Sequence, residues 1–128
     1  FLADAGTSIN DVVPQNSTIW GLQTGPLLIW KNTPLRLTIA NDKLRRRVIA
    51  AITVDKQLIF GVIMLKSSAY EGPRLTDLPK LLIEIGRQKG FNFARAINLD
   101  GGTASAFIDN EVKLYEANPI GSALCLKS

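Results

Sequence analysis

The chain has 128 residues, of which 46% are hydrophobic and 20% charged, a composition that excludes intrinsic disorder and fits one folded domain. It contains no histidine, which excludes Ser-His-Asp and Cys-His catalysis and histidine-ligated zinc, so acid–base chemistry falls to Asp, Glu, Lys or Tyr. Its 15 Lys and Arg against 11 Asp and Glu give a net charge of +4, which favours anionic ligands.

The first forty residues predict loop and strand segments. Residues 1–17 are polar and rich in turn-forming types, which predicts a loop. Residues 18–24 and 27–30 are rich in Ile, Leu and Trp and predict strands, and residues 31–34 predict a turn. Alternating Leu and Ile over residues 35–40 predict a half-exposed strand.

Two apolar runs, residues 48–54 and 57–65, flank Asp55-Lys56. A pair of turn residues between two such runs indicates a hairpin. Because both runs are almost wholly apolar, we expect this hairpin to lie at the centre of the sheet.

A helix is predicted over residues 75–89, where apolar residues recur at helical spacing. Thr76 is the predicted N-cap, Asp77 favours the positive N-terminal end of the helix, and Gly90 marks its C-terminal end. A helix that runs back against the strand following it begins near the end of that strand. We therefore expect Asp77 and Asp100 to face one cleft.

The C-terminal part predicts further strands. Residues 95–99 predict one strand, and residues 104–108 and 112–115 predict a second hairpin. Residues 120–126 predict a last strand, in which the single cysteine, Cys125, is expected to be buried.

The order of these elements predicts an α+β fold. It is a mostly antiparallel, or mixed, β-sheet with one long helix, about 75–89, packed on it. No internal repeat or linker interrupts the chain, so residues 1–128 are predicted to form a single domain. The apolar runs are all too short to cross a membrane, so no membrane span is predicted.

The most informative stretch is Asn98-Leu99-Asp100-Gly101-Gly102. Apolar residues lead into it, which indicates a buried strand that ends at a sharp turn with one carboxylate. Adjacent glycines allow a positive φ and let a ligand approach the main chain, and successive amides in such a turn can form an anion-binding concavity. Asp and Gly are also ordinary turn residues, so spacing alone leaves a simple tight turn open.

The same stretch, followed by Ser105, resembles the signature of the phosphodiester glycosidase family. This family includes the uncovering enzyme, which removes N-acetylglucosamine from phosphodiester-masked mannose, and many bacterial relatives. Other segments follow the order of the family over roughly residues 20–126: residues 24–28, Arg47 with the strand after it, residues 75–78 and residues 119–124.

Some positions depart from the family pattern. Thr103-Ala104 replaces a Gly-Ser pair that is common after the glycines, and Ala51 stands where a glycine is usual. The N-terminal portion of the family, with its Asn-Gly-Gly-Phe-like segment, is not recognisable, so we expect the chain to be the C-terminal portion of a longer protein.

The resemblance implies a hydrolase that cleaves a sugar-1-phosphodiester at the anomeric carbon, with N-acetylglucosamine as the first sugar to test. Glycoside cleavage generally uses carboxylates. Asp100 is the expected nucleophile or stabilising carboxylate, and Asp77 the expected partner acid or orienting group. The expected substrate-binding residues are Arg47, Asn98, Gly101, Gly102, Ser105 and Gly25. Within this set, Arg47 and the amides of Gly101 and Gly102 suit the phosphate.

Two other functions stay open. One is a glycan- or sugar-phosphate-binding module without turnover. The other is an anion-binding interaction domain that uses the basic run of residues 43–47, although no nucleic-acid motif accompanies this run and nucleic acid is not expected as a partner.

No cofactor is predicted. A divalent cation beside Asp100 is left open, because the oxygen ligands in the sequence are too few to assign one. The expected partners are a carbohydrate or sugar-phosphate ligand and the N-terminal segment of the same protein. The family resemblance implies an extracytoplasmic location, secreted or periplasmic.

Overall fold

The computed structural model of the chain describes residues 24–121 and 123–126. Five strands form one antiparallel sheet in the order β2-β1-β5-β3-β4, and a two-stranded hairpin, β6-β7, follows it. A single α-helix lies between β4 and β5, so the α+β class with an antiparallel sheet is confirmed. The elements are β1 (Leu27–Trp30), β2 (Thr33–Pro34), β3 (Arg47–Thr53), β4 (Leu58–Ile63), α1 (Leu78–Lys89), β5 (Phe93–Gly101), β6 (Phe107–Ile108) and β7 (Lys113–Leu114).

The centre of the sheet is formed by β3 and β5, which pair with each other in antiparallel register. Directly paired residues share a face of a sheet, and neighbours along a strand alternate between faces. Ile49 and Ala51 pack in the core with Leu78 and Leu82 of α1, so they define the helix-facing side. Val48 and its partner Asp100 belong to the opposite face.

The predicted hairpin at Asp55-Lys56 is confirmed, since β3 and β4 pair from Arg47–Ile63 to Ile52–Leu58. Its predicted place at the centre of the sheet is right for β3 and wrong for β4, which is an edge strand. The apolar composition of β4 does not reflect full burial, because Leu58 is 58% exposed and the other β4 side chains are half-buried.

Helix α1 begins three residues later than predicted. Residues 75–77 instead form a turn in which the Leu75 and Thr76 amides donate to the carboxylate of Asp42, at 3.0 and 2.8 Å. The N-cap is therefore Asp77, without a side-chain capping bond, and not Thr76. The helix ends as predicted at Gly90, whose φ of 78° is left-handed.

Two predicted strands are wrong. Residues 35–40 form no strand after Pro34; Leu37 packs against the core, and Leu35 and Leu37 line a groove with Thr76 just before α1. Residues 120, 121 and 123–126 are exposed and unpaired in the described chain, and Cys125 is exposed.

The hairpin predicted over residues 104–115 is confirmed in a shorter form, β6-β7. The predictions for residues 1–17 and 18–23 lie outside the described residues. Across residues 24–121 and 123–126, no helix has the length and apolar character needed to cross a membrane.

Helix α1 packs closely on the segment that leads into β5, and Gly86 is the point of closest approach. A Cβ added at Gly86 would lie 2.7 Å from the carbonyl oxygen of Phe91 and 3.0 Å from the Phe93 ring. We predict that Gly86→Ala lowers the free energy of unfolding by about 2 kcal/mol, although alanine favours a helix. Urea denaturation measures the change.

The control is Gly61→Ala, where the added Cβ meets only Ile49 at an ordinary 3.6 Å. We expect that variant to stay within about 0.5 kcal/mol of the parent. A Gly86→Ala protein as stable as the Gly61→Ala protein would contradict the close packing of α1 on residues 91–93.

Candidate active site

The turn after β5 is built from backbone contacts that only glycine allows. Gly102 has a left-handed φ of 69°. A Cβ at Gly101 would lie 2.5 Å from the carbonyl oxygen of Arg46, so no side chain fits there. Gly102 then opens a short 3-10 turn, Gly102–Ala104. The two glycines are therefore required by the approach of Arg46 to the end of β5.

Arg46 is the most heavily hydrogen-bonded side chain near this turn, and its exposed fraction is 0%. Its Nε donates to Ser105 Oγ at 3.2 Å, and its Nη1 donates to the Ala69 carbonyl at 2.8 Å. Its Nη2 donates to the carbonyls of Tyr115 at 3.0 Å, Gly102 at 3.4 Å and Ser105. One guanidinium thus joins three segments that are far apart in sequence.

The partners of Arg46 in the described chain are neutral. They are carbonyl oxygens and one hydroxyl, supplemented by the Tyr70 ring at 5.2 Å from the guanidinium carbon. A buried charge with neutral partners depends on many hydrogen bonds, since no carboxylate offsets its desolvation. The geometry of the turn is therefore tied to the geometry of a single buried cation.

The main chain of Arg46 adds to this arrangement. Its carbonyl accepts the Gly102 amide at 2.8 Å, and its own amide donates to the Tyr70 carbonyl at 2.7 Å. Ser105 Oγ, buried beside Arg46, donates to the Gly102 carbonyl at 2.9 Å. Ser105 was predicted to contact substrate or Asp100, and the structure places its hydroxyl inside the turn.

Asp100 is exposed at the end of β5. One carboxylate oxygen, Oδ1, accepts the amide of Gly101 at 2.6 Å, and Oδ2 has no hydrogen bond within the described residues. Its pairing with Val48 puts it on the sheet face opposite α1. Asp100 therefore combines a fixed backbone with an accessible carboxylate.

The predicted anion-binding role of the Gly101 and Gly102 amides needs correction. Each amide already donates, Gly101 to Asp100 Oδ1 and Gly102 to the Arg46 carbonyl. An amide proton aimed at a protein acceptor is not aimed at a ligand. The amide protons of Gly101 and Gly102 are therefore not available to a phosphate in this conformation.

Arg47 lies on the helix-facing side, and its exposed fraction is only 8%. Its Nε donates to the Pro73 carbonyl at 3.2 Å, and its Nη2 donates to the Lys43 carbonyl at 2.8 Å and to Asp42 Oδ1 at 3.4 Å. Burial lowers the pKa of the Arg47 guanidinium, the charge of Asp42 opposes that effect, and the charge of Arg45 adds to it. Arg47 thus connects the start of β3 to the segment before α1.

Asp42 was not singled out in the sequence, yet its carboxylate organises the start of α1. It accepts the Leu75 and Thr76 amides, the Thr76 hydroxyl at 2.9 Å and the Arg47 guanidinium. Burial raises the pKa of the Asp42 carboxyl, but these hydrogen bonds and the Arg47 charge outweigh burial, so the pKa lies below its ordinary value.

Asn98 and Gly25, two of the predicted substrate-binding residues, are in direct contact. Asn98 is 5% exposed, and its Nδ2 donates to the Gly25 carbonyl at 3.2 Å. Its Oδ1 is buried without a hydrogen-bond partner in the described chain. Thr24, which sequence analysis missed as a contact residue, donates its hydroxyl to the carbonyls of Asn98 and Leu99 at 3.1 and 2.7 Å.

The cleft predicted to be shared by Asp77 and Asp100 stays a prediction. Asp77 is exposed at the N-cap of α1, and Asp100 is exposed at the end of β5. The start of α1 and the end of β5 lie at one end of the sheet, because Arg47 contacts both Gly101 and the Asp42 that holds the turn before α1. The Asp100 side chain belongs to the sheet face opposite α1.

The basic run of residues 43–47 is divided by the fold. Arg46 and Arg47 are buried, whereas Lys43 and Arg45 are exposed. The Arg45 side chain lies across Gly102, with its Cδ 3.0 Å and its Nη1 3.3 Å from the position of a Cβ there. Within the part of the chain that the structure describes, no group of three or more His, Cys, Asp or Glu side chains is arranged to hold a metal ion.

Comparison with known proteins identifies the family to which this chain belongs. The model of the phosphodiester glycosidase family matches residues 4–127, which include every element described above. The chain belongs to the phosphodiester glycosidase family. No curated protein and no solved structure was found to match it. Membership assigns the chain to a family of glycosidase-type hydrolases, and the family predicted from the sequence is confirmed.

Arg46 provides the first test of this site. We predict that Arg46→Lys lowers the free energy of unfolding by about 3 kcal/mol, because lysine keeps the charge but not the planar set of donors that reaches Ala69, Ser105 and Tyr115. Urea denaturation of the parent and the variant measures the loss.

The matched control is Arg45→Lys, one residue away and exposed, which we expect to stay within about 0.5 kcal/mol of the parent. Equal stability of the two lysine variants would show that the buried arginine does not hold the turn.

Asp42 provides a test of pH dependence. The pKa of the Asp42 carboxyl is lower in the folded chain than in the unfolded chain, so the unfolded chain binds the proton more readily. The stabilisation that the ionised carboxylate provides is therefore complete at pH values above its ordinary pKa of 3.8. It is lost as pH falls through the lower folded-state pKa. We predict that Asp42→Asn costs about 2 kcal/mol near neutral pH and reduces the loss of stability between about pH 5 and pH 2.

Urea midpoints across this pH range give the measurement, and Asp77→Asn is the control because its carboxylate makes no capping bond. A pH profile of Asp42→Asn that runs parallel to that of the parent would argue against the role of the Asp42 carboxylate.

Proposed function

We propose that this phosphodiester glycosidase family member hydrolyses a glycosyl phosphodiester at the anomeric carbon, with Asp100 as the central carboxylate. The observation that carries the proposal is the state of Asp100. Its backbone is fixed by glycine contacts and by the buried Arg46, yet its carboxylate is exposed with Oδ2 available. A preorganised carboxylate of this kind suits a reaction in which positive charge develops on a sugar ring.

In the proposed reaction the bond between C1 and the phosphate oxygen breaks, and its electron pair stays on that oxygen. Water supplies the oxygen that forms the new bond to C1, and its two protons are shared between the sugar hydroxyl and the solution or the phosphate. The products are the free sugar and a phosphomonoester. Asp100 either stabilises the cationic sugar or attacks C1 and is later released by water.

The other predicted residues take supporting roles in the proposal. Asn98 pairs with Ile49 on the helix-facing side, opposite Asp100, so we assign it a positioning role through the Gly25 carbonyl and no direct contact with the sugar. Arg47 connects the start of β3 to the segment before α1. Its Nη1 donates to no described residue, so this atom is the one available for contact with substrate. The partner acid is Asp77 or a group of the N-terminal segment that the family resemblance implies. The proposed sugar is N-acetylglucosamine, and the proposed location is extracytoplasmic.

A sugar-phosphate-binding module without turnover is the second candidate. Two observations favour it: Thr103 and Ala104 depart from the family pattern directly after the glycines, and Asp100 lies on the sheet face opposite α1, whose N-cap is Asp77. Calorimetry separates the candidates, because saturable binding without product over hours supports the module and slow release of sugar excludes it.

The test is hydrolysis of α-N-acetylglucosamine methyl phosphodiester by the 128-residue chain and by the longest form of the protein that carries it. We predict that Asp100→Asn lowers kcat by roughly a thousandfold or more, because the variant lacks the negative charge at C1. Release of free N-acetylglucosamine gives the rate.

Asp55→Asn is the matched control, since Asp55 is exposed in the β3–β4 turn at the far end of the same sheet. It should hydrolyse the substrate like the parent. Undiminished hydrolysis by Asp100→Asn would overturn the role of Asp100, and absence of hydrolysis in every form would favour the binding module.

A further inference from the structure

Arg45 is an exposed cation beside the Asp100 turn, and its surroundings differ from those of the two arginines that follow it. Arg46 and Arg47 are buried and donate to carbonyls, a hydroxyl and Asp42. Arg45 makes no hydrogen bond and no ion pair with any described residue. Three consecutive arginines therefore divide into two structural side chains and one whose donors remain available.

The position of Arg45 is set by Gly102. The Arg45 side chain crosses the turn at Gly102. A Cβ added at Gly102 would lie 3.0 Å from the Arg45 Cδ and 3.3 Å from the Arg45 Nη1. The absence of a side chain at Gly102 thus lets the guanidinium lie against the backbone two residues after Asp100. Asp100 and Arg45 still form no ion pair within 4.0 Å, so neither charge is neutralised by the other.

We propose that Arg45 binds the phosphate of the substrate at this site, the role that the sequence had suggested for Arg47 and the glycine amides. The inference rests on the proposed function and names its phosphate-binding residue. A carboxylate and a free guanidinium at one turn match the two charges of the reaction, positive at C1 and negative on the leaving phosphate. Arg45 presents a planar set of donors that suits two phosphate oxygens.

The chemistry makes this cation more useful in the transition state than in the bound substrate. The phosphodiester carries one negative charge, and its phosphate gains a second as the C1–O bond breaks. A phosphomonoester has its second pKa at about 6, so the dianion is stable near neutral pH and a nearby cation favours its departure. Arg45 should therefore affect both binding of phosphate and kcat.

The experiment measures binding and turnover with Arg45→Gln. The probes are inorganic phosphate at pH 8, uncharged methyl α-N-acetylglucosaminide, and the methyl phosphodiester, whose binding is followed in the Asp100→Asn background. Affinity for phosphate should fall roughly 10- to 100-fold, while affinity for the uncharged glycoside stays the same. In the chain with Asp100 intact, kcat for the phosphodiester should fall roughly a hundredfold.

Two further variants complete the design. Arg45→Lys keeps the charge without the planar donors and should restore part of the lost phosphate affinity. Arg87→Gln removes an equally exposed arginine from the C-terminal turn of α1 and should bind phosphate like the parent. Urea denaturation of Arg45→Gln, expected to match the parent, separates lost binding from lost folding.

The outcomes separate this inference from the proposed hydrolase. Phosphate affinity lost in Arg45→Gln supports the inference even if no form of the protein hydrolyses the diester, which would instead overturn the hydrolase proposal. Equal phosphate affinity of Arg45→Gln and the parent, no phosphate binding by the parent, or an equal loss in Arg87→Gln would each overturn the role of Arg45.

Discussion

The buried guanidinium of Arg46 is the interaction on which the candidate site depends. It is fully buried and bonds to the carbonyls of Ala69 and Tyr115 and to both oxygens of Ser105. These groups belong to the loop before α1 and to the segment after β5, and neither segment is held by the five-stranded sheet. Because a buried cation without its acceptors is costly, the acceptors hold their places together. The same contacts therefore hold the turn that carries Asp100 in one conformation.

A second network, around Asp42 and Arg47, fixes the other side of the same sheet end. Asp42 accepts the amides of residues 75 and 76, and Arg47 joins that carboxylate to the start of β3. The beginning of α1 is thereby attached to the central strands at the end of the sheet that carries the Asp100 turn. The two networks leave Asp100 exposed between ordered neighbours, which is the arrangement that its proposed role requires.

Burial decides which charges in this region are available to a ligand. Residues 45, 46 and 47 are identical in type, yet Arg46 holds the turn, Arg47 holds the segment before α1, and Arg45 remains exposed across Gly102. The backbone amides of the turn are likewise used within the protein. The proposed anion recognition at this site therefore uses the exposed side chain of Arg45, and membership of the phosphodiester glycosidase family indicates which anion to test.

The sequence by itself determined the α+β class, the β3–β4 hairpin and helix α1 to within a few residues, because hydrophobic periodicity and turn residues are local signals. It also determined the family, because the Asp100 segment is distinctive. Only the tertiary structure decided that Leu35 and Leu37 pack beside α1 and form no strand, and that β4 lies at an edge. It also decided which arginines are buried and that Asp100 lies on the sheet face opposite α1, since burial and facing depend on contacts between residues far apart in the chain.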